Sequence, residues 1–573
     1  MAGIAGVINA KNRTVVDRMT GALRHRGPDG EGRWSKPRIT VGVTVLKRSQ
    51  PVFESETLCV VLDGRIRNYA ELRDSLQKSG HLFRTATEAE VLARLYEEKG
   101  DDLVQHLQGT YAFALIHGDR LLLARDRLGI KPLYYAHLPG SNLFLFASEI
   151  KAILQNAEFV PSLDMQAFAD SLLLGHPVGN LTFFTGVSSV RPGHVVSVSI
   201  GGEVHFEEQP YCVPAFKRDN NVRLSEAQTM VECQLEEIIS DQLDLDQPVG
   251  VTLSGGLDST VLALLASRRS SRPIFTFTVA DDDRNPDVEQ AAAVARSIAS
   301  KHVRFAMTFA DYLNCLPGYI ETMELPSGGY STPFYFLCRK IAPEVAICLD
   351  GEGADELFGG YTDYLNWPSR VRYVQRQMSL LERLGYAPSD HAMQIVQRIR
   401  STMSREQHLQ TIFELNLGDR MERFRIDPVD RCAMAASLDM RLPYLDDRLV
   451  DLASRLPAEF VVRIDLGIEK YILRRLLIER HGTAFLDVVL RRKIGAPVAA
   501  ASSMERFDKL CESALPDDYL EAHELGFCFP NKRHLFMFEL FIEVFMQHRG
   551  DSRNSGTALD LLSVRAKRTV SGA

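Results

Sequence analysis

Between residues 249 and 267 an apolar segment, Val249-Gly250-Val251-Thr252-Leu253, runs into Ser254-Gly255-Gly256 and then straight into a helical pattern over Thr260 to Ser267. A strand that passes through glycines directly into a helix opens an alternation of strands and helices. The pattern continues in the same sense. Ile274 to Val279 reads as a strand, the Ala-rich run Val288 to Ile298 as a helix, and His302 to Met307 and Val345 to Leu349 as further strands. Such alternation predicts a parallel sheet covered by helices on both faces. From about Tyr364 onward the pattern is mostly helical.

The first 200 residues differ. Short β-type runs punctuated by turns, such as Ile39 to Leu46, Leu58 to Leu62, Tyr111 to Ile116, Arg120 to Ala124 and Leu143 to Ala147, predict an antiparallel domain. With 573 residues the chain is too long for one ordinary core. We place one domain over residues 1–208, a linker over 209–224, a second domain over 225–550 and a loosely ordered polar tail over 551–573. Ser225 and Gln228 read as a capping box at the start of the helix that opens the second domain.

Composition narrows the function classes. Nine cysteines without a C-x-x-C pair argue against a disulfide framework or a structural zinc site. The net charge is −8 and no basic stripe precedes the tail, so a nucleic-acid partner is not expected. No apolar run approaches the ~18 residues a bilayer span needs, and the N-terminus lacks the pattern of a signal peptide. We expect a cytoplasmic protein without a membrane partner.

Two loops carry the chemistry. In Ser254-Gly255-Gly256-Leu257-Asp258-Ser259-Thr260 the glycines let a polyanion approach the backbone, and the helix start offers unpaired N–H groups. Ser254, Ser259 and Thr260 add hydroxyls, and Asp258 can hold magnesium on phosphate oxygens. No G-K-[ST] ending follows, so this is not a Walker loop. In Asp350-Gly351-Glu352-Gly353-Ala354-Asp355-Glu356 four acids crowd into seven residues after a strand. They repel one another unless a cation or a reacting ammonium sits among them. The plain alternatives are an ordinary strand-to-helix turn and an exposed acidic turn. In open α/β sheets, however, loops after strands face one crevice.

These motifs resemble the asparagine synthetase family, within the larger group of adenylating enzymes that carry a pyrophosphate loop. The resemblance rests on SGGLDST (254–260), DGEGADELFGGY (350–361), DRCAMAASLDMRLPYLD (430–446), KYILRR (470–475) and RRKIGAP (491–497). In the N-terminal half it rests on RHRGPDGEG (24–32), ARDRLGIKPLYY (124–135), FASEIKAIL (146–154) and RPGH (191–194). It implies an α+β N-terminal domain, a four-layer αββα sandwich of the Ntn type. An α/β pyrophosphate-loop synthetase domain, like the adenine nucleotide α-hydrolases, would follow.

The resemblance also implies ATP and Mg2+ as cofactors and small-molecule carboxylate and amine substrates, with a homodimer as a further expectation. Ser254, Gly255, Gly256, Asp258, Ser259 and Thr260 would hold the pyrophosphate part of ATP. Leu253, Val279 and Gly351 would contact the adenosine. Asp258 and Asp355 would bind magnesium. Glu352 would handle the incoming amine, a place where β-lactam-forming relatives carry tyrosine. Lys493 would steady charge on the acyl-adenylate.

The N-terminal half departs from the pattern where glutamine would be hydrolysed. The nucleophilic cysteine after the initiator methionine is Ala2, which cannot attack an amide. The family's Asn-Gly-Glu is Asp63-Gly64-Arg65, its glutamine-binding arginine aligns with Val45, and its Ser-Asp pair is Thr87-Glu88. A negatively charged aspartate repels the oxyanion that an amide N–H donor would stabilise, and arginine in place of a carboxylate repels an α-ammonium. These departures predict a degenerate glutaminase site and a nitrogen source other than glutamine. The competing reading is a glutamine-dependent asparagine synthetase or amidotransferase with an inactivated nucleophile. No basic residue lies between Arg304 and Arg339, although some asparagine synthetases place an arginine near the stretch at Gly328-Gly329-Tyr330. That weighs against aspartate as the substrate.

Overall fold

In the computed structural model the described residues are all of 1–573 except 11–13, 47–50, 213–217, 220, 244–246, 281–284, 362–363, 366, 403, 419–425, 492–500 and 568–573. The chain divides into two units. One comprises Met1–Ser171, Gly175–Pro214 and Gly418–Asp430, and the other Leu172–Leu174, Ala215–Leu417 and Arg431–Ala573.

Among the described residues the first unit holds twelve strands: β1 (Ala2–Ile8), β2 (Gly30–Ser35), β3 (Ile39–Val45), β4 (Val52–Glu54), β5 (Leu58–Ile66), β6 (Gly109–His117), β7 (Arg120–Arg125), β8 (Tyr134–Leu138), β9 (Leu143–Ala147), β10 (Val187–Ser189), β11 (His194–Ser199) and β12 (His205–Pro210). They form two six-stranded antiparallel sheets, ordered β10-β8-β9-β1-β3-β2 and β12-β11-β7-β6-β5-β4. Successive side chains on a strand point to opposite faces. On β5, Cys59 and Val61 enter a core shared with Ile4 of β1 and Val41 of β3, so the two sheets pack face to face. Leu58, Val60 and Leu62 of the same strand pack instead on Val91, Leu92 and Leu95 of the helix Glu88–Lys99. Helix Val15–Ala22 covers β1 and β3 on the far side. The result is the αββα sandwich expected from the resemblance.

The second unit is built on five parallel strands, β13 (Val249–Thr252), β14 (Phe275–Ala280), β15 (Lys301–Ala306), β16 (Ile347–Leu349) and β17 (Asp439–Arg441), ordered β15-β14-β13-β16-β17. From β13 the chain moves outward to β14 and β15, then returns to the other side of β13 for β16. The strand order therefore reverses between β13 and β16, where open α/β sheets bind ligands. No described helix is long and apolar enough to cross a membrane.

Two local expectations are corrected. The helix opening this unit is Leu224–Gln242, and its N-terminal N–H, from Arg223, donates to Glu226 at 3.2 Å; Ser225 and Gln228 lie within the helix. A cap of the same logic thus sits two residues upstream. The tail, expected to be loosely ordered, contains the helix Ala558–Lys567. Ala558, Leu561 and Leu562 are buried, and Arg565 pairs with Glu539 at 2.8 Å. A short apolar stripe with one ion pair suffices to dock it.

Candidate active site

The loop after β13 owes its path to Gly255, which has φ +72; a Cβ there would lie 2.7 Å from the Ala291 backbone nitrogen. Glycine is the residue that accepts this left-handed conformation without strain. Within the loop the Ser254 and Ser259 hydroxyls are 3.1 Å apart, and the Gly256 N–H donates to Ser254 Oγ at 3.3 Å. Helix Leu257–Arg269 begins at Gly256, which has no side chain to cap its first N–H groups. Ser254 is exposed, whereas Ser259 and Thr260 are buried. The loop thus offers backbone donors and a hydroxyl at the positive end of a helix, the chemistry of a phosphate cradle.

β13 and β16 are parallel neighbours, with Val251 opposite Leu349, so the acidic loop emerges beside the glycine loop. A Cβ on Gly351 would meet the Ser259 nitrogen at 3.4 Å and Asp258 Cβ at 3.5 Å, which places the two loops in contact. Asp350 is buried and accepts a 2.5 Å hydrogen bond from Thr252 and a 2.8 Å bond from the Glu352 N–H. Burial raises its pKa, with those two bonds opposing the rise. Asp350 therefore ties the ends of β13 and β16 together and leaves Glu352 half-exposed above them.

Glu356 is buried and accepts from the Tyr361 hydroxyl, so this acid of the loop turns into the protein. Leu253 is buried, its N–H bonded to the Phe277 carbonyl at 2.8 Å, and Val279 lies near the end of the adjacent β14. Of the predicted nucleotide and metal residues, all described ones gather at the carboxyl ends of β13, β14 and β16. Lys493 lies outside the described residues.

A residue that sequence reasoning quoted but gave no role completes this centre. Lys470 is buried, and its Nζ contacts the Asp258 carboxylate and lies 2.5 Å from Asp355 Oδ1. Burial opposes the ammonium charge, but the two carboxylates outweigh it and raise the pKa. Tyr444, also buried, donates to the Asp258 carbonyl at 3.1 Å. Among the described residues no group of three or more His, Cys, Asp or Glu side chains could hold a metal. Two carboxylates facing one cation nevertheless fit magnesium, which commonly takes one or two protein carboxylates and completes its shell with phosphates and water.

The stretch without basic residues acquires two arginines from distant parts of the chain. Arg431 donates to Glu324 at 2.7 Å, and Arg533 reaches the Gly328 carbonyl at 2.5 Å while also pairing with Asp508 at 2.7 Å. Sequence reasoning had no signal for either contact, since each spans more than 100 residues.

In the first unit the residues of the expected glutamine site also come together. Ala2 lies opposite Val45 in the β1–β3 register and is fully buried. Its N–H donates to Asp63 Oδ1 at 2.8 Å, and Asp63 Oδ2 accepts from Arg26 at 2.9 Å. Asp63 therefore does not stand as a bare negative charge, as the sequence alone suggested, but is neutralised within a buried network. Arg26 also pairs with Glu149 and with Asp430, both at 2.9 Å. Lys131 pairs with Asp430 at 2.6 Å, and Lys151 with Glu149 at 2.7 Å. Gly64 has φ +107 and backs onto the Thr110 carbonyl. Arg65 is exposed, and burial pushes the neighbouring Glu88 carboxyl up to about 7, opposed by Arg65 and by the Ile66 N–H.

A glycine-rich loop at a helix start and an acidic loop flank the strand-order reversal of a parallel sheet, the arrangement of an α/β protein suited to binding a nucleotide. The asparagine synthase family matches residues 230–564, and the glutamine amidotransferase domain family matches residues 1–212. The chain belongs to the asparagine synthase family. It is an ATP-dependent, AMP-forming carbon–nitrogen ligase. Among curated relatives it is 28% identical over 547 residues to asparagine synthetase [glutamine-hydrolyzing] 3 of Bacillus subtilis, covering 87% of each chain. It is 29% identical over 520 residues to a probable asparagine synthetase [glutamine-hydrolyzing] of Dictyostelium discoideum, covering 84% of this chain and 81% of the relative.

Proposed function

We propose that the enzyme adenylates a small-molecule carboxylate and condenses it with an amine that does not come from glutamine. The observation that carries this reading is the contrast between its two sites. The loops that carry Asp258 and Asp355 adjoin and share Lys470, which supports an ATP site there, whereas position 2 carries alanine in place of a nucleophilic thiol and Asp63, in the place of the oxyanion donor, is ion-paired with Arg26.

ATP would lie with its phosphates over Ser254, Gly255, Gly256, Asp258, Ser259 and Thr260 and its adenosine against Leu253, Val279 and Gly351. The substrate carboxylate attacks the α-phosphorus, forming an acyl-adenylate and releasing pyrophosphate. Magnesium held by Asp258 and Asp355 would offset the negative charge of the phosphates. The amine then attacks the acyl carbon, Glu352 accepts its proton, and collapse of the tetrahedral intermediate forms the amide and expels AMP. Lys493 answers the charge on the adenylate and the intermediate. An amine from a second molecule, from within the substrate or from free ammonia fits this sequence, and such a source suits specialised metabolism.

The experiment is pyrophosphate exchange into ATP across a panel of carboxylates, with AMP as the expected nucleotide product and Asp258→Ala expected to be inactive but folded. ADP as product would overturn the reading. The second reading, a glutamine-dependent asparagine synthetase with an inactivated nucleophile, is favoured by the names of the relatives. Ala2→Cys distinguishes the two. We expect no steady glutamate release, because Asp63 and Arg65 remain; steady release would establish the second reading.

A further inference from the structure

The space between Asp258 and Asp355 is filled by part of the protein itself. Asp258 belongs to the phosphate loop, Asp355 to the acidic loop and Lys470 to neither, yet its ammonium touches both carboxylates. The backbone is committed to this placement. Lys470 has φ +51 and ψ +40 at the N-cap of helix Tyr471–His481, a left-handed conformation unusual for a residue with a side chain. Its N–H donates to the Phe358 carbonyl at 3.1 Å, which fixes it to the acidic loop. Gly360 makes the room: a Cβ there would stand 1.8 Å from Asp355 Oδ1 and 2.2 Å from Lys470 Cε. A strained backbone, a glycine without which the carboxylate and the lysine stem could not be accommodated, and a buried ammonium all converge on one point.

Resting on the magnesium assignment made above, we propose that Lys470 is an internal counter-cation that makes metal binding conditional on nucleotide. While the ammonium spans the pair, a divalent ion arriving alone meets carboxylates already neutralised and a position already filled. A triphosphate brings several negative charges to the adjoining loop and gives the ammonium a new partner. The carboxylates are then released to the metal. Metal and nucleotide enter together, and neither a metal-only state nor an uncompensated pair of carboxylates accumulates. Lys470 is in this sense a positioning residue, since it acts through the metal site.

The test uses the full chain and Mn2+ as the probe, followed by its electron paramagnetic resonance signal. Wild type should bind Mn2+ poorly alone and well with a non-hydrolysable ATP analogue. Lys470→Gln should bind Mn2+ without the analogue at least about tenfold more tightly than wild type, the scale set by one charge-assisted contact. Asp355→Asn should abolish Mn2+ binding, leaving the sharp signal of the free ion, in both the wild-type and the Lys470→Gln background. Equal Mn2+ affinity of wild type and Lys470→Gln without nucleotide overturns the proposal. If Lys470→Gln fails to fold, wild type alone decides: Mn2+ bound equally well with and without the analogue, and lost in Asp355→Asn, also overturns it. Because no acyl substrate is present, a negative exchange panel with intact metal–nucleotide coupling refutes only the proposed reaction. Absence of Mn2+ binding even with the analogue refutes the magnesium assignment.

Discussion

Glu352 and Glu88 show how the same side chain acquires different work from its surroundings. Glu352 is held above the sheet by its own N–H bond to Asp350, half-exposed and beside the phosphate loop. A carboxylate so placed can accept a proton from an attacking amine, a contribution typically worth about 10²–10⁴ in rate. Glu352→Gln should therefore lose amide formation by about that factor while retaining pyrophosphate exchange, measured in single turnovers. Lys493→Ala should impair both steps. Equal loss of exchange and amide formation in Glu352→Gln would move that residue to the nucleotide or metal site.

Glu88, by contrast, carries a pKa raised to about 7 by burial. A carboxyl raised in the folded state binds more protons there than in the unfolded chain, so stability falls as pH rises from about 4.5 to about 7. Glu88→Gln should match wild type in thermal melts below about pH 4.5 and exceed it near pH 8. A difference that does not depend on pH would refute the titration of Glu88.

At the scale of elements, most strands were legible because their information is local. The unbroken apolar run Leu58 to Leu62 reports a strand buried on both faces, and glycines after Leu253 report the turn into a helix. Lys470 was not legible as part of the site, because its bond to Asp258 spans 212 residues and no periodicity encodes a contact of that range. The same holds for Arg431 and Arg533 at the Glu324–Gly328 stretch. Helix Ala558–Lys567 was missed for a different reason. Ala558, Leu561 and Leu562 carry helical spacing, but the surrounding Ser, Arg and Lys residues masked a stripe only three residues long. The position of Glu226 relative to Arg223 shows that a cap motif can be right in kind and displaced along the chain.

For the molecule as a whole, the buried charges of the first unit deserve a stability test. Asp430, in the Gly418–Asp430 segment of that unit, meets both Arg26 and Lys131. Breaking one partner of a buried ion pair typically costs about 3–5 kcal/mol. Asp430→Asn should destabilise the first unit by about 3 kcal/mol, the low end of that range, since Arg26 keeps Asp63 and Glu149. The chain has two tryptophans, Trp34 and Trp367, so denaturation in a Trp367→Phe background reports on the first unit through Trp34. An unchanged midpoint would show that Lys131 finds another acid.

The participation of Asp430 bears on ancestry. If the amino-terminal lobe no longer hydrolyses glutamine, as proposed above, a gene would ordinarily be free to shed it by one deletion. Here the lobe's interior is completed by a piece encoded more than 200 codons further on. A truncation upstream of Ala215 would strand that piece, and a gene fission at the same point would leave the liberated lobe lacking an acid that Arg26 and Lys131 both use. Interleaving of this kind would preserve the lobe even if, as proposed above, it no longer hydrolyses glutamine.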